Sequence, residues 1–94
     1  MTNPVRDNRA AQRFEMDLSG KIAFITYRRA AEVLTLLHAQ VPPEFQGRGF
    51  GSQLTRGALE LARGAGVKVV PHCPFVAHYI ATHAEFSDLL AEER

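Results

Sequence analysis

The stretch Val41-Pro42-Pro43-Glu44-Phe45-Gln46-Gly47-Arg48-Gly49-Phe50-Gly51-Ser52-Gln53-Leu54 decides the fold. Ahead of it, residues 31–41 are apolar on both parities: Val33, Thr35 and Leu37 alternate with Leu34, Leu36 and His38. A strand apolar on both faces is usually central in its sheet. Pro42-Pro43 ends it, because proline gives the ladder no donor and drives its predecessor toward extended geometry. After the glycines, Phe50, Leu54, Ala58, Leu61 and Ala62 share one helical stripe. Gly64 and Gly66 close that helix where a left-handed residue is wanted.

Downstream, Val67 to Val70 reads as a short strand interrupted by Pro71, and Pro74 suits the first turn of a second helix. Phe75, Val76, Tyr79, Ile80 and His83 form its stripe, and Phe86, Leu89 and Leu90 continue apolar contacts into a charged tail. Upstream, Phe14, Met16 and Leu18 alternate with Arg13, Glu15 and Asp17, the pattern of a half-buried strand. Ser19-Gly20 supplies a two-residue turn into the β-branched and aromatic run Lys21 to Tyr27, and Arg28-Arg29 reads as a polar corner. Residues 1–11 are polar and read as a flexible tail, leaving residues 12–94 as a single domain. The order strand, strand, strand, helix, strand, helix is an α/β chain with a mixed sheet: antiparallel strands followed by one β-α-β unit and a C-terminal helix.

Composition narrows the classes. The 94 residues are 46% hydrophobic and 22% charged, ordinary globular usage that supports one modest core and gives no sign of disorder. Eleven Lys and Arg against ten Asp and Glu leave a net charge of +1, too balanced for a nucleic-acid surface or a polybasic membrane patch. There is no apolar run near the roughly 20 residues of a membrane span and no apolar secretory leader, so the cytoplasm is the default compartment; a transit peptide is the poorer reading of the early arginines. One cysteine excludes an internal disulfide, which agrees with a reducing compartment.

The two parallel strands of a β-α-β unit end at the same sheet edge, so the glycine loop and Cys73 should face one crevice past the strand ends. In the loop, N–H groups without intrahelical partners and the positive end of a helix dipole converge on one spot, the physical basis of phosphate binding. A nucleotide P-loop is excluded by the missing Lys-Ser or Lys-Thr, and a dinucleotide fingerprint by the missing last glycine. The glycines also fit a ligand-free turn.

Cys73, just before Pro74, sits where a helix start would favour a thiolate, although a buried, inert cysteine is the plain alternative. His38 lies near the end of the central strand, on the parity of Leu34 and Leu36, and an imidazole there could serve as general base, or simply hydrogen-bond at the edge of the core. His72 is the weaker candidate. His78 and His83 are five apart on a helix and do not share a zinc-binding face, so no metal site is expected. The arginines at 28, 29, 48, 56 and 63 read as solvated surface, Arg48 also as a possible phosphate contact.

Gln46-x-x-Gly49-x-Gly51, placed between a strand and a helix, resembles the pyrophosphate-binding signature of the GCN5-related N-acetyltransferases. The wider text around it and from Val69 to Leu90 is similar to a very small, cysteine-containing branch of that superfamily. The resemblance implies an acetyl-CoA-dependent transfer to an amine. It implies that the amides of Arg48, Gly49, Phe50 and Gly51 hold the pyrophosphate of coenzyme A and that Gln46 and Gly47 shape the approach. The main chain near Val41 would pair with the pantetheine arm, Phe75 and Tyr79 would line it, Tyr79 would protonate the leaving thiolate, and Cys73 would lie beside the thioester. Larger members carry helices before the matching strands that wall the acceptor site. Here that side is expected to be open, taking a large or flexible acceptor such as a protein or peptide, or being completed by a partner chain in an oligomer. A non-catalytic acyl-CoA-binding module and a ligand-free interaction domain are the alternatives.

Overall fold

The computed structural model describes residues 4–91. A five-stranded sheet runs in chain order: β1 (Val5–Asn8), β2 (Arg13–Leu18), β3 (Lys21–Ala30), β4 (Val33–Gln40) and β5 (Lys68–Pro71). The first four strands are antiparallel neighbours, and β5 joins β4 in parallel after the crossover helix α1 (Phe50–Ala65). Helix α2 (Pro74–Thr82) and a 3-10 turn (Ala84–Leu89) complete the order. The mixed sheet with its β-α-β unit is the fold class expected from the sequence.

Local chemistry explains the corners. Ser19 and Gly20 both take positive φ, 50° and 85°, the two-residue hairpin turn whose twist matches its strands. The Arg28-Arg29 corner does not occur: β3 runs through both arginines to Ala30, and the reversal falls at Ala31, which accepts a φ of 55°. Gly66, at φ 74°, caps α1 through N–H bonds to Ala62 and Arg63 carbonyls.

Both helices pack on the sheet face carrying Phe14, Met16, Leu18, Ala23, Ile25, Tyr27, Leu34 and Leu36. Leu54, Ala58, Leu59 and Ala62 of α1 and Val76 and Ile80 of α2 close this core. The opposite face carries no helix among the described residues.

The flexible tail is corrected. Residues 1–3 lie outside the described residues, but Val5–Asn8 forms an edge strand paired from Val5↔Met16 to Asn8↔Arg13. Four residues with one apolar side chain give no readable alternation; what holds them is contact at a distance. Val5 packs on α1 at Gly57, where an added Cβ would lie 2.4 Å from Val5 Cγ2. Asp7 accepts a 2.6 Å hydrogen bond from the Tyr27 hydroxyl, whose pKa is pushed up to about 12, first by burial and then by that carboxylate.

On the helix-free face Glu15 is only 2% exposed. Its carboxylate accepts bonds from Arg6 (2.8 Å), Asn8 (3.1 Å) and Arg13, whose guanidinium also lies 4.7 Å from the Phe24 ring centroid. The Arg13 hydrogen bond, ahead of those from Asn8 and Arg6, holds the Glu15 carboxyl below its ordinary value against the opposing effect of burial. A lowered carboxylate pKa adds stability that is complete above the unfolded value and is lost as pH falls through the folded one.

Two outcomes follow. Gly57→Ala should lower stability by about 1–3 kcal/mol through overpacking, with β1 amides losing hydrogen-exchange protection first. In urea titrations, the stability advantage of the native chain over Glu15→Gln should shrink as pH drops below about 4.3, the ordinary glutamate value; an advantage constant down to pH ~2 would contradict the assignment.

Candidate active site

The site begins where β4 and β5 part. Their register runs from Val33↔Lys68 to Leu36↔Pro71, and the Cys73 N–H then donates to the Leu36 carbonyl at 3.0 Å. Beyond this point β4 pairs with β3 alone, so its β5-facing edge from Leu37 to Gln40 has no strand partner among the described residues. Pro71 helps end the pairing, since it has no N–H to offer a ladder.

A bulge in β4 changes which residues face where. Tyr27 pairs with Leu36 and Thr26 with His38, leaving Leu37 as the extra residue. The parity expected for His38, shared with Leu34 and Leu36, is therefore corrected. Leu34 and Leu36 are buried in the core, whereas His38 is exposed on the helix-free face opposite Thr26. The same inversion turns Ala39 toward the core side, where it lines the crevice.

That crevice, about 360 Å³, is lined by Ala39, Val41, Phe45, Gln46, Gly47, Gly49, Gly51, Ser52 and Phe75. Gly47 and Gly49 take φ values of 76° and 84°, left-handed geometry that a side chain would strain. Gly49 is the N-cap of α1, and its carbonyl accepts the Gln53 N–H at 3.1 Å. The N–H groups from Gly47 to Ser52 have no well-formed acceptor within the described residues. Unpaired donors and a helix N-terminus thus lie at the crevice mouth, where Gly47, Gly49, Gly51 and Ser52 line it, an arrangement suited to phosphate. Gln46 Nε2 donates to the Val41 carbonyl at 2.9 Å, tying the start of the loop to the end of β4. Arg48 stands at the rim outside the lining, its guanidinium carbon 5.6 Å from the ring centroids of both Phe45 and Phe50.

The remaining candidates are distributed unevenly. Phe75, 44% exposed, closes one wall, with its ring so near the loop that a Cβ on Gly51 would sit 3.0 Å from Cζ. Cys73 is the N-cap of α2, 4% exposed and part of the core cluster; it adjoins the parting of the strands without lining the crevice. His72 is exposed beside it. Tyr79 is not in the crevice: its ring stacks on His83 at 3.8 Å, and its hydroxyl accepts a bond from Arg56 at 3.4 Å. One turn beyond Phe75, this position falls where α1 and the C-terminal turn close over α2. Among the described residues no cluster of His, Cys, Asp or Glu is arranged to hold a metal ion.

Sequence reading missed Ala39, Phe45 and Ser52. Phe45 and Ser52 adjoin the glycine motif and could have been included from its flanks, but Ala39 depends on a bulge that leaves no local signature.

These features define an α+β domain with a phosphate-suited loop opening onto a split between parallel strands. The family model described as GCN5-related N-acetyl-transferase matches residues 13–89, and the chain belongs to that family. An NMR solution structure from Staphylococcus aureus, of a GCN5-like candidate N-acetyltransferase, has the same fold: TM-score 0.70 at 24% identity, covering 100% of this chain and 94% of that one. No curated protein sequence matches the chain. No helix among the described residues is long and apolar enough to cross a membrane.

Gly51→Ala tests whether the crevice mouth takes coenzyme A without disturbing the fold. The φ of Gly51 is not positive and alanine favours a helix by about 1 kcal/mol, so the melting temperature should hold or rise. The displaced Phe75 ring should nonetheless weaken coenzyme A binding on the order of tenfold, about 1.4 kcal/mol, by calorimetry.

Proposed function

We propose that this chain transfers an acetyl group from acetyl-CoA to an amine, with the crevice between β4, the glycine loop and Phe75 receiving the CoA arm and His38 receiving the proton of the amine. One observation carries the reading: the unpaired N–H groups from Gly47 to Ser52 and the unpartnered edge of β4 flank the same crevice. The loop amides suit a pyrophosphate. The free β4 edge suits the amide groups of a pantetheine arm, which would add to it as a strand does. Val41, Gln46, Gly47 and Gly49 would border the arm, with the amides of Arg48, Phe50 and Gly51 directed to phosphate.

In the transfer itself the amine nitrogen forms a bond to the thioester carbon, the carbon–sulfur bond breaks, and coenzyme A leaves as a thiolate that takes up a proton from water. The nitrogen loses one proton, and His38 is the group assigned to accept it. Its place on the helix-free face puts it across the sheet from the helices, so cofactor and acceptor would approach the strand split from opposite sides. Cys73 borders the thioester in this reading. Its burial, and its absence from the crevice lining, favour direct transfer over an acetyl-cysteine intermediate. Tyr79 is given no part, because its hydroxyl is turned to Arg56.

Calorimetry with acetyl-CoA, free CoA and ATP tests the binding half. Saturable acetyl-CoA binding at about micromolar strength, near 8 kcal/mol, with little for ATP is the expected result. His38→Gln should keep that affinity while lowering transfer by roughly 10²–10⁴-fold. Mass spectrometry of the protein with acetyl-CoA and no amine should find no acetyl group on Cys73. Binding without transfer to any amine would instead describe a non-catalytic acyl-CoA module.

A further inference from the structure

The helix-free face around His38 has a charge pattern that selects among amines. β-Sheet registers set Asn8, Arg13, Thr26 and His38 in one row across β1 to β4, because Asn8 pairs with Arg13, Arg13 with Thr26, and Thr26 with His38. Strands lie about 4.8 Å apart, so the Arg13 backbone is roughly 10 Å from His38 along this row, while its guanidinium is hydrogen-bonded to Glu15 and lies over Phe24. Arg28 is two residues from Thr26 on β3, on the same face and about 7 Å along the strand, paired with Thr35. It is exposed and enters no ion pair among the described residues.

The carboxylates are arranged differently. Glu15 lies under Arg6, Asn8 and Arg13, which take up its oxygens and leave its side chain 3% exposed. Asp17 is open, but it pairs with Arg6 at 2.8 Å and sits opposite Ile22, four residues down β3 from Thr26, roughly 13 Å away and beyond a Debye length at physiological salt. Glu32, in the turn after Ala30, makes no ion pair with Arg28. The charge near the candidate base that no carboxylate neutralises among the described residues is thus the Arg28 guanidinium, with Thr26 and the half-buried Thr35 between strands.

We propose that the acceptor is an amine that also carries an anionic group, a carboxylate or phosphate, bound on the helix-free face with its anion at Arg28 and its nitrogen at His38. This inference rests on the acetyltransferase reading and adds the class of acceptor to it. A guanidinium fork holds either anion through paired N–H bonds, and the Arg28 cation repels a second ammonium, so diamines and lysine-rich peptides are disfavoured on the same ground. Binding energy from the anion is remote from the reacting nitrogen. Its loss should therefore appear mainly in KM rather than kcat.

The test compares kcat/KM for matched amines: an amino acid, its amide, the corresponding amino alcohol, an aminoalkyl phosphate and an aliphatic diamine. The amino acid or the aminoalkyl phosphate should exceed the amide and the alcohol by at least about tenfold at low salt, with the diamine last, and the ratio should fall as salt is raised. Which of the two anions leads identifies the group recognised. Arg28→Glu, at an exposed position that supports no other side chain, should invert the order of amino acid and diamine through KM while leaving the acetyl-CoA-induced rise in melting temperature unchanged. Two results would overturn the proposal, a diamine preferred by the native chain or an order unmoved by Arg28→Glu, whereas acetyl-CoA binding with no amine of any kind acetylated would strike the acetyltransferase reading. Failure of acetyl-CoA to bind would strike the acetyltransferase reading itself.

Discussion

The parting of β4 and β5 is the constraint on which the rest of the site depends. Up to Leu36 and Cys73 the two strands share backbone hydrogen bonds; past it, Pro71 and the turn into α2 carry one strand away while β3 still holds the other. Unpaired backbone groups in a protein interior are costly. Here they border an open crevice where water or a ligand can satisfy them. The glycine loop completes the arrangement, since its left-handed Gly47 and Gly49 line the space that the strands leave open and its N–H groups have no backbone acceptor among the described residues.

The bulge at Leu37 decides the division of labour around that split. Without it His38 would enter the core with Leu34 and Leu36, and Ala39 would face solvent. With it, the imidazole stands on the helix-free face and a small side chain borders the crevice. The two faces of the sheet thereby differ in kind. One holds nearly all the apolar burial, and the other is held together by a buried carboxylate with two arginines and an asparagine over it. Such a carboxylate is favourable only while every partner is in place. This accounts for a four-residue edge strand whose attachment comes from Arg6, Asp7 and Asn8 as much as from Val5.

Much of this was legible in the sequence because it follows from local rules. The Pro42-Pro43 stop, the glycines, most of the α1 stripe and the Ser19-Gly20 turn each act within a few residues, and the order of elements follows from them; Leu61, counted in that stripe, is exposed, and Leu59 takes its place in the core. A crevice at the shared edge of the parallel strands was also legible, but it is Phe75, and not the expected Cys73, that lines it opposite the loop. What escaped depends on contacts far apart in sequence. β1 is fixed by Tyr27, Glu15 and Gly57, the parity of His38 by a one-residue mismatch with β3, and the orientation of Tyr79 by Arg56 on another helix. Alternation counted along a strand assumes no bulge, and a helical stripe does not say which neighbour each turn will meet.

The central claim is that the amides from Gly47 to Ser52 hold the phosphates of a coenzyme A thioester. A two-dimensional ¹H–¹⁵N NMR titration of the reduced protein with acetyl-CoA addresses it residue by residue. The account predicts that these amides shift together, and most strongly, as charge-assisted hydrogen bonds form, with the β4 amides past Leu37 following and those of β1 nearly still. Saturating shifts confined to other surfaces, with the loop amides unmoved, would contradict it.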